Sequence, residues 1–181
     1  MTGGEIEAAT RELTGRQVDN VRYYMLPYGT PDGPRWDRQV AHATDYGLDL
    51  VTPDGTMGIT WSSCGDYGYG LQLVHGPVLT TLSHAEFCTV TDEPPWAAVR
   101  GERITRAQVH WLDVTWGERE TSGPVALSVW FADSIGIVIV CGSWTEPREP
   151  VFPTGDDIVV LWQPETLPVF TPFLPADLLG P

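Results

Sequence analysis

The chain has 181 residues, 42% of them hydrophobic, with 24 acidic residues against 10 basic ones and a formal net charge of −14. That is enough for one good core, or two small ones sharing an interface, and it excludes a disordered polymer. The charge sign excludes nucleic acid and anionic membranes as partners and favours cationic ones, and since every basic residue is Arg, no side chain can form a Schiff base.

In chain order, Glu5–Leu13 reads as a short helix ending at Gly15, with Ile6, Ala9 and Leu13 on one side. Arg16–Leu26 reads as a strand closing on Tyr23-Tyr24. Pro27–Ala43, with its prolines and the cluster Trp36-Asp37-Arg38, reads as a long loop. Leu48–Trp61 is a hairpin turning at Asp54-Gly55, followed by a glycine and tyrosine loop, Ser62–Gly70, and a strand over Leu71–Val74. Val78–Leu82 and Ala85–Val90 read as short strands. Thr91–Pro95 is a junction, and Pro95–Val99 a helical turn.

Ile104–Trp116 is a long or bent strand. The longest apolar passage, Val125–Trp144, is a hairpin about Asp133-Ser134 whose second arm, Ile135–Cys141, is almost wholly apolar and should be covered on both faces. Thr145–Asp157 is a loop, Ile158–Trp162 closes a second sheet, and the proline-rich tail over residues 164–181 should drape Val169, Phe170, Phe173 and Leu174 over an apolar surface.

Three blocks recur in the same order. Leu13–Val21 matches Val99–Ala107, Leu48 and Leu50 match Leu127 and Val129, and Gly70–Val74 matches Asp157–Leu161. The expected fold is therefore mainly β with minor α. Two tandem pseudo-repeats, about 5–90 and 95–164, each hold a short helix and about four antiparallel strands, packed as one sandwich-like or barrel-like domain.

Cys64, Cys88 and Cys141 are odd in number and lack a C-x-x-C pair, so neither a disulfide framework nor a zinc site is indicated, and Cys141 reads as a small core hydrophobe. The N-terminal stretch lacks the pattern of a signal peptide, and no run reaches the roughly 18 apolar residues of a membrane helix. Together these features predict a cytoplasmic setting.

Catalytic signatures are sparse. His84-Ala85-Glu86 matches the H-x-E of zinc deaminases, but Pro94-Pro95 is followed by Trp96 where the metal-binding Cys belongs. Asp37, His42 and Asp45 form the best catalytic candidate, as an acid–base pair or two metal ligands with no third in sight; structural hydrogen bonding is the plainer reading. His75 and His110 fall at strand ends without an evident partner. No metal and no cofactor is indicated. Eight Trp and six Tyr are many for this length. Trp36, Tyr67, Tyr69, Trp96 and Trp144 flank glycine- or proline-rich turns, where aromatics can anchor interfaces.

In this build, a β-rich, strongly acidic chain under two hundred residues with loop aromatics and no catalytic signature, the protein resembles the small acidic immunity proteins of bacterial toxin–immunity pairs. The resemblance implies a non-enzymatic inhibitor that plugs a basic toxin surface, its carboxylates standing in for nucleic-acid phosphates. The loops predicted to carry the contact are Trp36–Asp45, Cys64–Tyr69 and Thr145–Asp157, with Asp37, Asp66, Tyr67, Tyr69, Glu146 and Glu149 as contact residues. Two other classes remain open: a small-molecule-binding barrel or enzyme with a pocket at Asp37, His42 and Asp45, and a structural subunit with an apolar patch under the tail.

Overall fold

Alternating apolar residues lay the chain out in two open antiparallel sheets, seen in a computed structural model that describes residues 2–26, 36–37, 41–64, 68–78, 86–116, 119–132, 136–144, 150–162, 173–174 and 178. Helix α1 (Gly3–Leu13) starts at a capping box: the Thr2 side chain accepts from the Glu5 N–H and the Glu5 carboxylate accepts from the Thr2 N–H. Those bonds hold the Glu5 carboxyl below its ordinary range. The five strands of sheet 1 are β1 (Asn20–Met25), β4 (Gly47–Thr52), β5 (Gly55–Ser63), β6 (Tyr69–His75) and β7 (Glu86–Thr89), in the order β6-β5-β4-β1-β7. Sheet 2 contains β2 (Trp36–Asp37), β3 (Ala41–Thr44), β8 (Ile104–Trp116), β9 (Arg119–Phe131), β10 (Gly136–Ser143) and β12 (Asp157–Leu161), in the order β2-β3-β12-β10-β9-β8. The short β11 (Phe152–Pro153) pairs with β10, and the turn α2 (Trp96–Val99) precedes β8.

The sheets share one core. Tyr23, Leu48, Leu50, Met57 and Ile59 of sheet 1 meet Leu127, Val129, Ile137, Ile139 and Val160 of sheet 2, with Ile6 and Leu13 of α1 and Trp96 of α2 added at the sides. A second cluster lies on the other face of sheet 2, where Ala43, Val138, Val140, Val159 and Trp144 are joined by Leu174 and Leu178 of the tail. Every residue of Gly136–Gly142 is buried, because odd positions face the shared core and even ones the tail. The described tail residues Leu174 and Leu178 thus lie on an apolar face of sheet 2.

Four neighbouring strands run in the same order in each sheet, with similar pairings. Strands β1, β4, β5 and β6 are successive neighbours in one, and β8, β9, β10 and β12 in the other. Val21↔Leu50 and Tyr23↔Leu48 correspond to Ala107↔Val129 and Val109↔Leu127, and Ile59↔Leu73 corresponds to Ile139↔Val160. The segments leading into β1 and β8 also bond reciprocally. Gly15 N–H donates to Ile104 C=O and Gly101 N–H to Val18 C=O, each at 2.7 Å. Both glycines hold positive φ, 89° and 79°.

Several expectations need correction. The expected loop over Pro27–Ala43 contains strand at Trp36–Asp37 and Ala41–Ala43: β2 pairs with β3, and β3 is buried throughout and lies against β12, so Ile158–Trp162 does not close the sheet. The segment Ala-His-Ala-Thr carries no apolar alternation; it is specified by the space beside β12, where Ala41 and Ala43 fit under the tail. Val78 sits in a turn rather than a strand, and residues 79–82 lie outside the described set. Trp96 and Trp144 are core residues, each 1% exposed, not loop anchors. His110 is buried within β8, its Nε2 2.9 Å from Ser128 Oγ, and His75 Nδ1 lies 3.8 Å from a Glu12 carboxylate oxygen.

Candidate functional site

Parts of three loops meet at one end of the sheets. The turn after β3 carries Asp45 and Tyr46, held there because Asp45 C=O accepts from the Trp61 indole N–H and its carboxylate accepts from Leu26 N–H, both at 2.8 Å. Gly47 (φ 144°) brings the chain across the Ile59 carbonyl, which any Cβ at that position would strike. From there a row of half-buried rings runs across the end: Tyr46 stacks on Trp61 at 6.3 Å, and Trp61 meets Tyr69 edge-on at 4.8 Å. Tyr69 N–H donates to Thr154 C=O at 3.2 Å, and Thr154 N–H donates to Cys141 C=O at 3.1 Å, so the turn after β11 bridges the two sheets. Beside it Phe152 and Phe173, 53% and 52% exposed, stack at 5.3 Å. Asp156 is exposed in the same turn.

Of the predicted contact residues, Tyr69 belongs to this row. Asp66, Tyr67, Glu146 and Glu149 lie outside the described residues, as does the side chain of Asp37, whose backbone pairs with Ala41. Tyr46, Trp61 and Phe152 were missed, and Phe173, expected to lie on an apolar surface, is instead 52% exposed. Trp61 ends a predicted strand and reads as core, and the partnership of Phe152 with Phe173 joins the β11 turn to the tail, a contact that no local pattern encodes.

His42 is enclosed, with no exposed surface. Its Nδ1 lies 3.0 Å from Tyr23 Oη, the Trp96 indole N–H donates to that same oxygen at 2.6 Å, and the His42 ring meets Trp162 edge-on at 4.9 Å. Burial pushes the Tyr23 phenol pKa far up, so the group stays neutral. These are the contacts of a packing cluster joining β1, β3 and α2. Of the predicted catalytic group, the described partners of His42 are thus Tyr23 and Trp162, and those of Asp45 are Leu26 and Trp61. Two clefts, of about 290 and 370 Å³, lie along α1 and the far end of the β8–β9 ribbon, and neither is lined by His42 or Asp45. Of His84-Ala85-Glu86, only the Glu86 backbone is described, opening β7. Among the described residues no three of His, Cys, Asp and Glu gather as a metal-binding group. The described cysteines are free, and burial raises the thiol pKa of Cys88 and Cys141, which keeps both protonated.

The outer faces carry a second polar feature. Asp49, fully buried, accepts from the Tyr24 hydroxyl and from Val78 N–H at 2.9 Å. By register Tyr24 and Asp49 correspond to His110 and Ser128, and Ser128 in turn donates to Leu178 C=O. Each pair therefore pins a segment lying on its sheet's outer face. Desolvation raises the Asp49 pKa above its ordinary 3.8, outweighing the bonds from Tyr24 and Val78 and the charge of Arg22. A carboxyl whose pKa is raised by folding stabilises the protein fully below the unfolded pKa, and that contribution is lost as pH rises through the folded pKa. Asp49→Asn should therefore flatten the decline in stability between about pH 4 and neutrality, measured by urea unfolding across that range.

Comparison with family models, curated proteins and solved structures gave no match. No helix among the described residues is long and apolar enough to cross a membrane.

Proposed function

We propose that this chain is a non-enzymatic, acidic, cytoplasmic protein-binding domain that masks a basic surface on a partner, as an immunity protein masks a toxin, and that it grew from a duplicated unit of roughly eighty-five residues. The observation that carries the binding reading is the Tyr46–Trp61–Tyr69 row with the exposed Phe152–Phe173 stack beside it, on a chain of net charge −14. Rings of this kind supply most of an interface's affinity when buried, while like-signed rim charges steer the encounter. Asp45 and Asp156 supply such charges, and the acidic residues Asp66, Glu146 and Glu149 lie in the flanking loops. The duplication is supported by the matched registers and by the reciprocal bonds at Gly15 and Gly101.

The test is affinity capture from a lysate of the host, with wild type and Phe152→Ala side by side. The expected result is a basic protein retained by wild type and depleted by the variant. Capture of no basic protein, or equal retention by both, overturns the reading. With the captured partner, Phe152→Ala should speed dissociation by about tenfold or more, the effect of losing a central anchor. Asp156→Asn should mainly slow association, and less so as salt rises.

A further inference from the structure

Sheet 2 ends on β8, and among the described residues no strand lies beyond it, whereas the register-equivalent β1 carries β7 on the corresponding edge. In antiparallel pairing, successive residues aim their backbone N–H and C=O groups at opposite neighbours. On β1 the Val21 groups face the β7 side: its C=O accepts from Val90 N–H at 3.0 Å and its N–H donates to Thr91 Oγ1 at 2.9 Å. Tyr24 C=O faces the other way and accepts from Tyr46 N–H at 3.1 Å. The residues presenting to β7 are therefore Val21 and Tyr23, and their equivalents on β8 are Ala107 and Val109.

Burial distinguishes the two edges. Val21 and Tyr23 are 0% exposed, while Ala107 and Val109 are only half-buried although they pack against the same core. Among the described residues the edge of β8 thus combines a hydrogen-bond row without a neighbouring strand and a partly covered apolar shoulder, the combination that accepts an added strand. Its surroundings are acidic. Helix α1, packed along β8, exposes Glu5, Glu7 and Glu12, and β8 itself is bracketed by the exposed Glu102 and Asp113. The nearby cations are each engaged: Arg11 donates to Glu7 C=O, Arg16 pairs with Glu12 at 3.6 Å, Arg103 donates to Gly15 C=O and Arg106 lies 4.3 Å over the Trp130 ring.

We propose that the free edge of β8 receives an extended segment of a partner protein, paired antiparallel at Ala107 and Val109, with cationic residues flanking an apolar pair, in the place that β7 fills on β1. The β7 strand supplies the template: Phe87 lies on the outer face, its ring near Tyr24 and 5.6 Å from the Arg22 guanidinium, and Cys88 packs on the core side. The occupant accordingly needs one apolar side chain on each face at successive positions. This edge uses different residues from the aromatic end, so either reading can fail alone; only the cationic flanks are shared with the proposed function.

The probe is a synthetic peptide with the sequence of residues 86–90, Ser replacing its Cys, and an Arg pair at each end, added to isotope-labelled protein while amide exchange is followed by NMR. At saturation the Ala107 and Val109 amides should exchange about tenfold slower or more, while Gln108, whose backbone groups by the same alternation aim at β9, should not change. The same peptide with Glu pairs should bind at least about tenfold more weakly. Val109→Pro removes one outward donor from an edge position, where proline is tolerated, and should weaken the Arg peptide about tenfold; if that variant does not fold, exchange in the wild type still decides. Unchanged exchange at Ala107 and Val109 overturns the proposal. So does protection that grows with protein concentration in the absence of peptide, which would give the edge to a second copy of the chain, and so does equal binding of the Arg and Glu peptides.

Discussion

Tyr23→Phe should destabilise the protein by about 2–4 kcal/mol although it removes a single oxygen atom, because two buried hydrogen bonds are lost at once. The Trp96 indole N–H and the His42 Nδ1 both bond that hydroxyl, and neither side chain has water to turn to. The cluster ties α2 and β3 to sheet 1, so the loss should fall on the cooperative transition. Urea unfolding should show a lower midpoint at unchanged slope. A loss below about 1 kcal/mol would mean that the hydroxyl's two bonds are replaced by repacking and that the cluster does not hold those elements together.

The second large effect concerns the strand covered on both faces. Ile139→Ala should cost about 3–5 kcal/mol, the range for truncating a fully buried aliphatic whose surroundings cannot collapse, since its neighbours belong to two sheets. Val140 faces the tail, with no exposed surface either, and Val140→Ala should cost about 2–3 kcal/mol. The comparison is informative because a sheet with one wet face would lose heavily at one position and by less than about 0.5 kcal/mol at the other. Thermal or urea unfolding of the two variants decides it.

Much of this core could be read from the chain, and the reasons are local. The arms on either side of Asp54-Gly55 and Asp133-Ser134 are rich in β-branched residues and long enough to read as strands, and the Leu48 and Leu127 positions they align hold similar places in the two sheets, while Asp133 and Ser134 themselves lie outside the described residues. The helix start is two residues earlier than Glu5, where Thr2-Gly3-Gly4-Glu5 forms a capping box. Strand β3 was not legible. Ala41-His42-Ala43-Thr44 has no pattern of its own and is a strand because β12 offers it a backbone ladder and room for small residues. The same limit applies to the site: Tyr69 could be found from its place in a glycine loop, but the row it joins is assembled from Tyr46 and Trp61 through tertiary contacts. His110 was misread for the same reason, since its partner Ser128 sits on the neighbouring strand and nothing in the linear sequence marks the pair.

The measurement that tests the central claim most directly is the association of the purified chain with its captured partner, followed through tryptophan fluorescence as ionic strength is raised from low to physiological. Trp61 lies in the proposed contact row, so its emission should change on binding, and the association rate should fall steeply with salt while Phe152→Ala raises the dissociation rate at every salt concentration. An association rate indifferent to salt, together with a Phe152→Ala dissociation rate equal to wild type, would contradict the account and leave the acidic surface with solubility as its purpose.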